Sequence, residues 1–240
     1  MRAIGKRSTC LDGMVVGIYS DLHCNIAAFD ALLRRKKDAD AWVCAGDTVG
    51  LFPFVNEVVD RQRELAPVAV KGDHELALVD GSEISDSFSG NQSIALQRAA
   101  VSTVNREYLA GLPLEADFEA DGIKVRVRHA LHGLADRALK FKLEHSSWDR
   151  ADADIDVLVV GHTHLPAAIT GKHVTLLNPG SLGFPVCQLR KPMAMFFDTE
   201  TRTARSCLFE IEIDTLIEGI RKASYNSRLA EYLDRGFIWP

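Results

Sequence analysis

Four short clusters in this chain combine residue types able to do chemistry together: Asp21-Leu22-His23, Gly46-Asp47, Gly72-Asp73-His74-Glu75 and Gly161-His162-Thr163-His164. The intervals from Asp21 to Asp47 and from Asp47 to Asp73 are both 26 residues, the length of one strand, one helix and a return. That spacing sets three carboxylates side by side at the carboxyl edge of a sheet, where open α/β folds bind ligands. Adjacent anions repel and raise at least one carboxylate pKa, whereas divalent cations turn the same cluster into a favourable site. Imidazole with carboxylate suits Mn, Fe, Ni, Co or Zn better than Ca, and no thiolate pattern points to a closed structural zinc site. On an extended segment the side chains of D-x-H and H-x-H point the same way, so each pair can reach one metal cluster. Taken singly, Asp21 and Asp47 would serve equally as helix N-caps, and His162 and His164 as strand-end histidines; four clusters in company favour the metal reading.

The hydrophobic pattern around these clusters is that of an α/β layered chain. Residues 14–19, 41–45 and 67–70 read as strands, with helices over 25–35 and 56–65 between them. Residues 81–91, polar and rich in Ser and Gly, read as a mobile loop that could act as a lid. From 92 to 112 a helical period joins Ile94, Leu96, Val101, Val104, Tyr108 and Leu109, so one long helix is expected, stopped by Gly111 and Pro113. Beyond it the period falls to two. Residues 118–119, 124–129, 157–160, 174–177 and 193–197 read as strands, with one clear helix, 135–145, among them. The charged tail 210–235 carries Leu216, Ile217, Ile220, Leu229 and Leu233 at helical spacing, an amphipathic helix pair that could also form a homo-oligomer contact. With no internal repeat and no Pro/Ser-rich linker, residues 1–240 are expected to form one domain.

Composition bounds the partners. The 240 residues are 47% hydrophobic, 25% charged and 8% aromatic, which excludes disordered, collagen-like and low-complexity classes. Lys and Arg total 28 against 33 Asp and Glu, a net charge of −5 that gives no broad attraction for nucleic acid or acidic lipid. The cysteines, Cys10, Cys24, Cys44, Cys187 and Cys207, are scattered and never form C-x-x-C, so neither a disulfide framework nor a zinc ribbon is expected. The apolar stretch after the basic N-terminus is too short for a signal-peptide core, and no run reaches the roughly 18 apolar residues of a membrane span. A soluble, cytoplasmic protein is expected.

Together with His132-Gly133 and Asn178-Pro179-Gly180-Ser181, the clusters resemble the calcineurin-like metallophosphoesterase superfamily, in its smaller bacterial and archaeal phosphodiesterase branch. The resemblance implies an α/β (α+β) fold, a four-layer sandwich of two mixed sheets flanked by helices, with two divalent metals, manganese being one candidate. It implies that Asp21, His23 and His164 bind one metal, that Asp73, His132 and His162 bind the other, and that Asp47 bridges them. It further implies in-line attack on phosphorus by a metal-bridging hydroxide, with His74 protonating the departing oxygen.

The chain departs from that pattern in places. Asp73 stands where the family has Asn, leaving a two-cation site one charge less positive, so metal should be held more tightly and act as a weaker Lewis acid. Protein-serine/threonine phosphatases of the wider superfamily follow the bridging Asp with a carboxylate and an Arg that clamps a phosphomonoester; here Thr48, Val49, Gly50 and Leu51 follow. A diester carries one charge fewer and needs the clamp less, so small or aryl phosphodiesters, or nucleotides, are the favoured substrates. A phosphomonoesterase and a dinucleoside polyphosphate hydrolase are the alternatives, and Arg126, Arg128 or Arg190 could replace the missing charge. His129 is the alternative to His132, which is preferred because it precedes Gly. Cys24 reads as buried filler, and His145 and His173 lie outside every block. Leu51, Phe52, Phe54 and Phe184 either line a cleft for an aryl or nucleobase group or cap the core. In another class, a retromer subunit of this fold is a non-catalytic protein-binding scaffold; the full ligand set and His74 argue for an enzyme here.

Overall fold

The computed structural model describes residues 2–4, 13–84, 88–131, 149 and 152–238. Runs of β-branched and aromatic residues build two mixed sheets. The five-stranded sheet has the order β11-β10-β2-β3-β4. Its strands are β2 (Val15–Tyr19), β3 (Ala41–Cys44), β4 (Val68–Ala69), β10 (Met193–Asp198) and β11 (Thr203–Leu208). Here β2, β3 and β4 run parallel, and β10 is antiparallel to β2 and β11. The six-stranded sheet has the order β1-β5-β6-β7-β9-β8. Its strands are β1 (Arg2–Ile4), β5 (Glu115–Ala120), β6 (Ile123–Arg128), β7 (Val157–Val159), β8 (Pro166–Thr170) and β9 (Thr175–Pro179). Its β6, β7 and β9 are parallel neighbours.

Strand alternation explains the layering. Val16, Ile18 and Val43 face the space between the sheets, against Phe118, Val125 and Val159. Tyr19, Trp42 and Cys44 face the other way, into a core with α1 (Ile26–Leu33) and α2 (Val55–Leu65). That same core takes in α6 (Asp214–Lys222) and α7 (Ser227–Asp234), the expected tail helices. Their apolar faces, including Leu216, Ile220, Leu229 and Leu233, are buried in the protein's own core, as an amphipathic pair laid on the surface requires.

Two expectations are corrected. The predicted helix 92–112 is two helices, α4 (Phe88–Ala100) and α5 (Thr103–Gly111). Ser102 is extended and caps α5 by accepting from Asn105 N, while Asn56 Nδ2 donates to Ala100 O at 3.0 Å and Asn56 Oδ1 accepts from Ser102 N at 2.9 Å. A side chain from another element thus supplies the hydrogen bonds the break leaves open. The predicted loop 81–91 is helical from Phe88. Asn91 pairs with both the N–H and C=O of Ile84, so its amide is used in holding the chain down. A helix not expected, α3 (Asp73–Asp80), begins at the third carboxylate, and strands β1, β8 and β11 were also not expected. The helix expected at 135–145 lies outside the described residues. Among the described residues no helix is long and apolar enough to cross a membrane.

Candidate metal centre

The loops after five strand ends meet. Parallel β2, β3 and β4 deliver Asp21, Asp47 and Asp73 from adjacent positions, as the equal spacing predicts. Parallel β6 and β7 of the other sheet deliver His129, His162 and His164. The pairs do not converge by strand alternation, however. Asp21, His23, Asp47, His162 and His164 all take left-handed φ, between 50° and 67°, in turns just past the strands. Such φ values are uncommon for residues with a Cβ and concentrate where function over-determines the backbone. Cross-loop hydrogen bonds hold them, His23 N to Asp47 O at 2.9 Å and Asp21 N to Gly46 O at 3.0 Å. Neither Asp21 nor Asp47 is the N-cap residue of the helix that follows it in the chain, since α1 is capped by Asn25 and α2 starts after Phe54.

Asp21 Oδ1 lies 3.1 Å from His164 Nε2 and 4.0 Å from His23 Nε2. Asp73 Oδ1 lies 3.3 Å from both His129 Nε2 and His162 Nδ1. Between these groups, Asp47 Oδ2 is 3.2 Å from His129 Nε2 and 3.9 Å from the Nε2 atoms of His23 and His74. Four overlapping sets of ligand atoms result, each within 4.8 Å of one another: Asp21, His23 and His164; Asp73, His129 and His162; Asp21, Asp47 and His129; and His23, Asp47 and His74.

Three imidazoles are fixed from behind. His129 Nδ1 donates to Ala45 O at 2.7 Å, His164 Nδ1 to Phe184 O at 2.6 Å and His23 Nδ1 to Val49 O at 3.2 Å. A carbonyl only accepts, so Nδ1 carries a proton, and in the neutral ring the Nε2 lone pair is left on the carboxylate side, free for a metal, the arrangement of metal-ligating histidines. Asp21 Oδ1 and His129 Nε2 are buried without a well-oriented hydrogen-bond partner. Buried polar atoms of this kind call for a cation, and the mixed carboxylate and imidazole donors fit a divalent transition metal.

The electrostatics agree. Burial works against ionisation of Asp21, yet His164, His129 and His23 hold its carboxyl well below the usual carboxylate range. Burial and Asp73 oppose ionisation of Asp47, and His129 and His74 outweigh them. Burial also opposes Asp73, which hydrogen bonds to His129 and His162 bring down. In return Asp47, Asp73 and Asp21 overcome the burial of His129 and raise its proton affinity, and Asp21 does the same at His164. His23, where burial acts together with His74, is pushed down to about 3. Opposing shifts of this kind, carboxylates lowered by imidazoles and imidazoles raised by carboxylates within one cluster, mark functional sites.

A buried scaffold sets this geometry. Glu75 accepts from Gly72 N, Asp47 N and Val49 N at 2.7, 2.9 and 2.9 Å, tying α3 to the Asp47 loop. Burial, then the charge of Asp47, pushes Glu75 up to about 7. Gly50, at φ +104°, lets the His74 ring pack where a Cβ would stand 1.9 Å from Nδ1. Gln97 from α4 clamps the same loop, accepting from Gly50 N at 2.9 Å and donating to Gly50 O at 2.9 Å. Asn178 donates to Gly161 O at 2.9 Å and to Thr163 Oγ1 at 3.1 Å, holding the backbone between His162 and His164.

Of the expected site residues, Asp21, His23, Asp47, Asp73, His74, His162 and His164 come together; His132 lies outside the described residues. His129, ranked behind it in the sequence, is the histidine that β6 brings to Asp47 and Asp73. Cys24 is buried, as are Leu51 and Phe52, which belong to the core and not to a cleft wall. Phe54 is partly buried against that core, and Phe184 stands edge-on to His164. Arg126 and Arg128 are paired with Glu115, Asp117, Asp152 and Asp154, and Arg190 is exposed. Glu75, Gln97 and the Phe184 carbonyl act through position, and their residue types gave no signal that could have identified their roles.

A sandwich of two mixed sheets with this cluster across its loops defines a metallophosphoesterase fold. The chain belongs to the calcineurin-like phosphoesterase superfamily, whose domain model matches residues 14–202. It is 27% identical to an uncharacterised protein of Methanocaldococcus jannaschii over 91% of this chain and 95% of that one. It is 28% identical to a probable metallophosphoesterase of the same organism over 76% of this chain and 75% of that one. A hypothetical protein of Pyrococcus horikoshii OT3 shares the fold with a TM-score of 0.81 at 18% identity, covering 91% of this chain and 97% of that one. A metallophosphoesterase of Sphaerobacter thermophilus does so with 0.74 at 23%, covering 94% and 100%. The protein is thus a phosphoesterase-family, metal-binding chain of the α/β class.

Proposed function

We propose that this protein is a dinuclear metal-dependent phosphodiesterase acting on small or aryl phosphodiesters or nucleotides. Asp21, His23 and His164 would hold one metal, Asp73, His129 and His162 the other, and Asp47 would be shared between them. What carries the reading is the set of carbonyl-anchored imidazoles aiming Nε2 at the buried Asp21 and Asp47 and the half-buried Asp73. When bound, two divalent cations would supply Lewis acidity to the phosphoryl oxygens and acidify water.

The side chains do the rest. Asp47 has two oxygens, and Oδ1 takes His74 N at 3.0 Å while Oδ2 faces the imidazoles. That bond fixes the start of α3 and with it His74, which stands outside both ligand triads and is the group available to protonate the departing oxygen. With Arg126 and Arg128 committed to carboxylates, neither is left to clamp a second negative phosphoryl oxygen, which favours a diester over a monoester. Cys24, Cys44, Cys187 and Cys207 are free thiols, which supports a reducing, cytoplasmic setting.

The test is hydrolysis of bis(p-nitrophenyl) phosphate and of p-nitrophenyl phosphate after chelation, with Mn, Fe, Ni, Co or Zn restored singly. Turnover that returns with metal, prefers the diester and is lost in Asp47→Ala supports the reading. Inactivity with every metal would favour a protein-binding scaffold; preference for the monoester would overturn the diester assignment alone.

A further inference from the structure

We infer that Tyr232, on the C-terminal helix α7, is a positioning residue for His164. The inference rests on His164 being a metal ligand, as proposed above. Helix α7 lies beyond residues 14–202 that match the family domain, yet its Tyr232 reaches the chain segment behind the site. The Tyr232 hydroxyl donates to Pro185 O at 2.8 Å. Its ring stacks on Phe184 with centroids 4.3 Å apart and planes at 27°. Phe184 is the residue whose carbonyl accepts the His164 Nδ1 proton at 2.6 Å. On the inner side, Phe184 N donates to Ser181 Oγ at 2.8 Å, and that hydroxyl donates to Asp21 O at 2.8 Å.

The peptide behind His164 is therefore bracketed, by Ser181 within and Tyr232 without. The histidine's carbonyl partner fixes its tautomer, its ring orientation and the basicity of Nε2, and loss of such a partner lowers metal affinity about 10- to 100-fold. Tyr232 is itself buried, so a purely structural role in docking α7 is the rival. Leu216 separates the two, because it is buried in the same core on the neighbouring helix α6.

Chelated protein would be titrated with Mn²⁺ by calorimetry and with Co²⁺ by visible absorption, which reports ligand geometry. His164→Ala identifies the binding step that needs His164. Tyr232→Leu is expected to weaken that step about 10- to 100-fold and alter the Co²⁺ spectrum, Tyr232→Phe to do so by less, and Leu216→Ala to leave both unchanged. If Tyr232→Leu does not fold, Tyr232→Phe decides: a wild-type affinity and spectrum overturn the inference. Equal weakening in Leu216→Ala overturns it as well. Either result with metal-dependent turnover intact leaves the proposed function standing, whereas wild-type protein that binds no metal overturns both.

Discussion

The Glu75 carboxylate accepts the main-chain N–H of Asp47 at 2.9 Å, so the residue proposed to bridge two metals is held by its backbone from the start of another helix. The same carboxylate serves Gly72 and Val49. In Glu75→Gln an amide N–H₂ must face one of these donors. The expected cost is about 1–3 kcal/mol of stability, with lowered turnover. Urea unfolding and steady-state rates check it, and unchanged midpoint and rate would refute the role.

His129 and His132 give a clean contrast. His129→Ala is expected to lose one of two metals and more than about 100-fold in activity, since a direct ligand should matter at least as much as its supporting partner. His132→Ala is expected to keep both metals. Elemental analysis of dialysed protein reads the outcome, and the opposite pattern would restore His132 as the ligand.

For His74→Ala the leaving group is the probe. Loss of a general acid costs about 10²–10⁴-fold when the departing oxygen is basic, and less when it leaves readily as p-nitrophenolate. Equal losses with alkyl and p-nitrophenyl diesters would instead make His74 a ligand or a packing group.

Asp73→Asn removes one negative charge beside His129 and His162. Weaker Mn²⁺ binding, by about tenfold, is expected, with a stronger Lewis acid in the metal that remains. Isothermal titration and the pH dependence of turnover test it; identical binding and profile would sink the idea.

Away from the site, acid stability has a predicted sign. The hydrogen-bonded guanidinium of Arg126, against some opposing burial, holds the Asp117 carboxyl below its usual range. A depressed folded pKa stabilises the fold above the unfolded value of about 3.9, and that contribution is lost as pH falls through the folded value. Wild type should therefore exceed Asp117→Asn by a constant small margin above about pH 5, closing in stronger acid. The margin is small because Asp117 is about a third exposed and solvent screens the pair. Thermal melts across pH measure it, and a gap that widens in acid would contradict the sign.

Much of the architecture is legible in the chain. Short β-branched runs locate β2, β3, β6, β7, β9 and β10, and the equal intervals between Asp21, Asp47 and Asp73 place them at adjacent parallel strands. Edge strands were less visible. β11 reads Thr-Ala-Arg-Ser-Cys-Leu and leaves most of its side chains exposed, so the apolar alternation that marks a half-buried strand is weak. The break between α4 and α5 was hidden for a different reason, because the Asn56 side chain that satisfies it is distant in sequence.

For the site, the residue types and spacing by themselves pointed to the three carboxylates, His23, His162 and His164 as one cluster suited to a cation, because like charges gathered at strand ends have few other solutions. Only the tertiary structure decided that His129 enters, that left-handed turns rather than strand alternation aim the pairs, and that Glu75, Gln97 and Tyr232 stand behind them. Those outcomes depend on which backbone carbonyl or N–H lies within 3 Å of a side chain, a matter of how two sheets and a distant helix pack, and no local pattern in the chain encodes it.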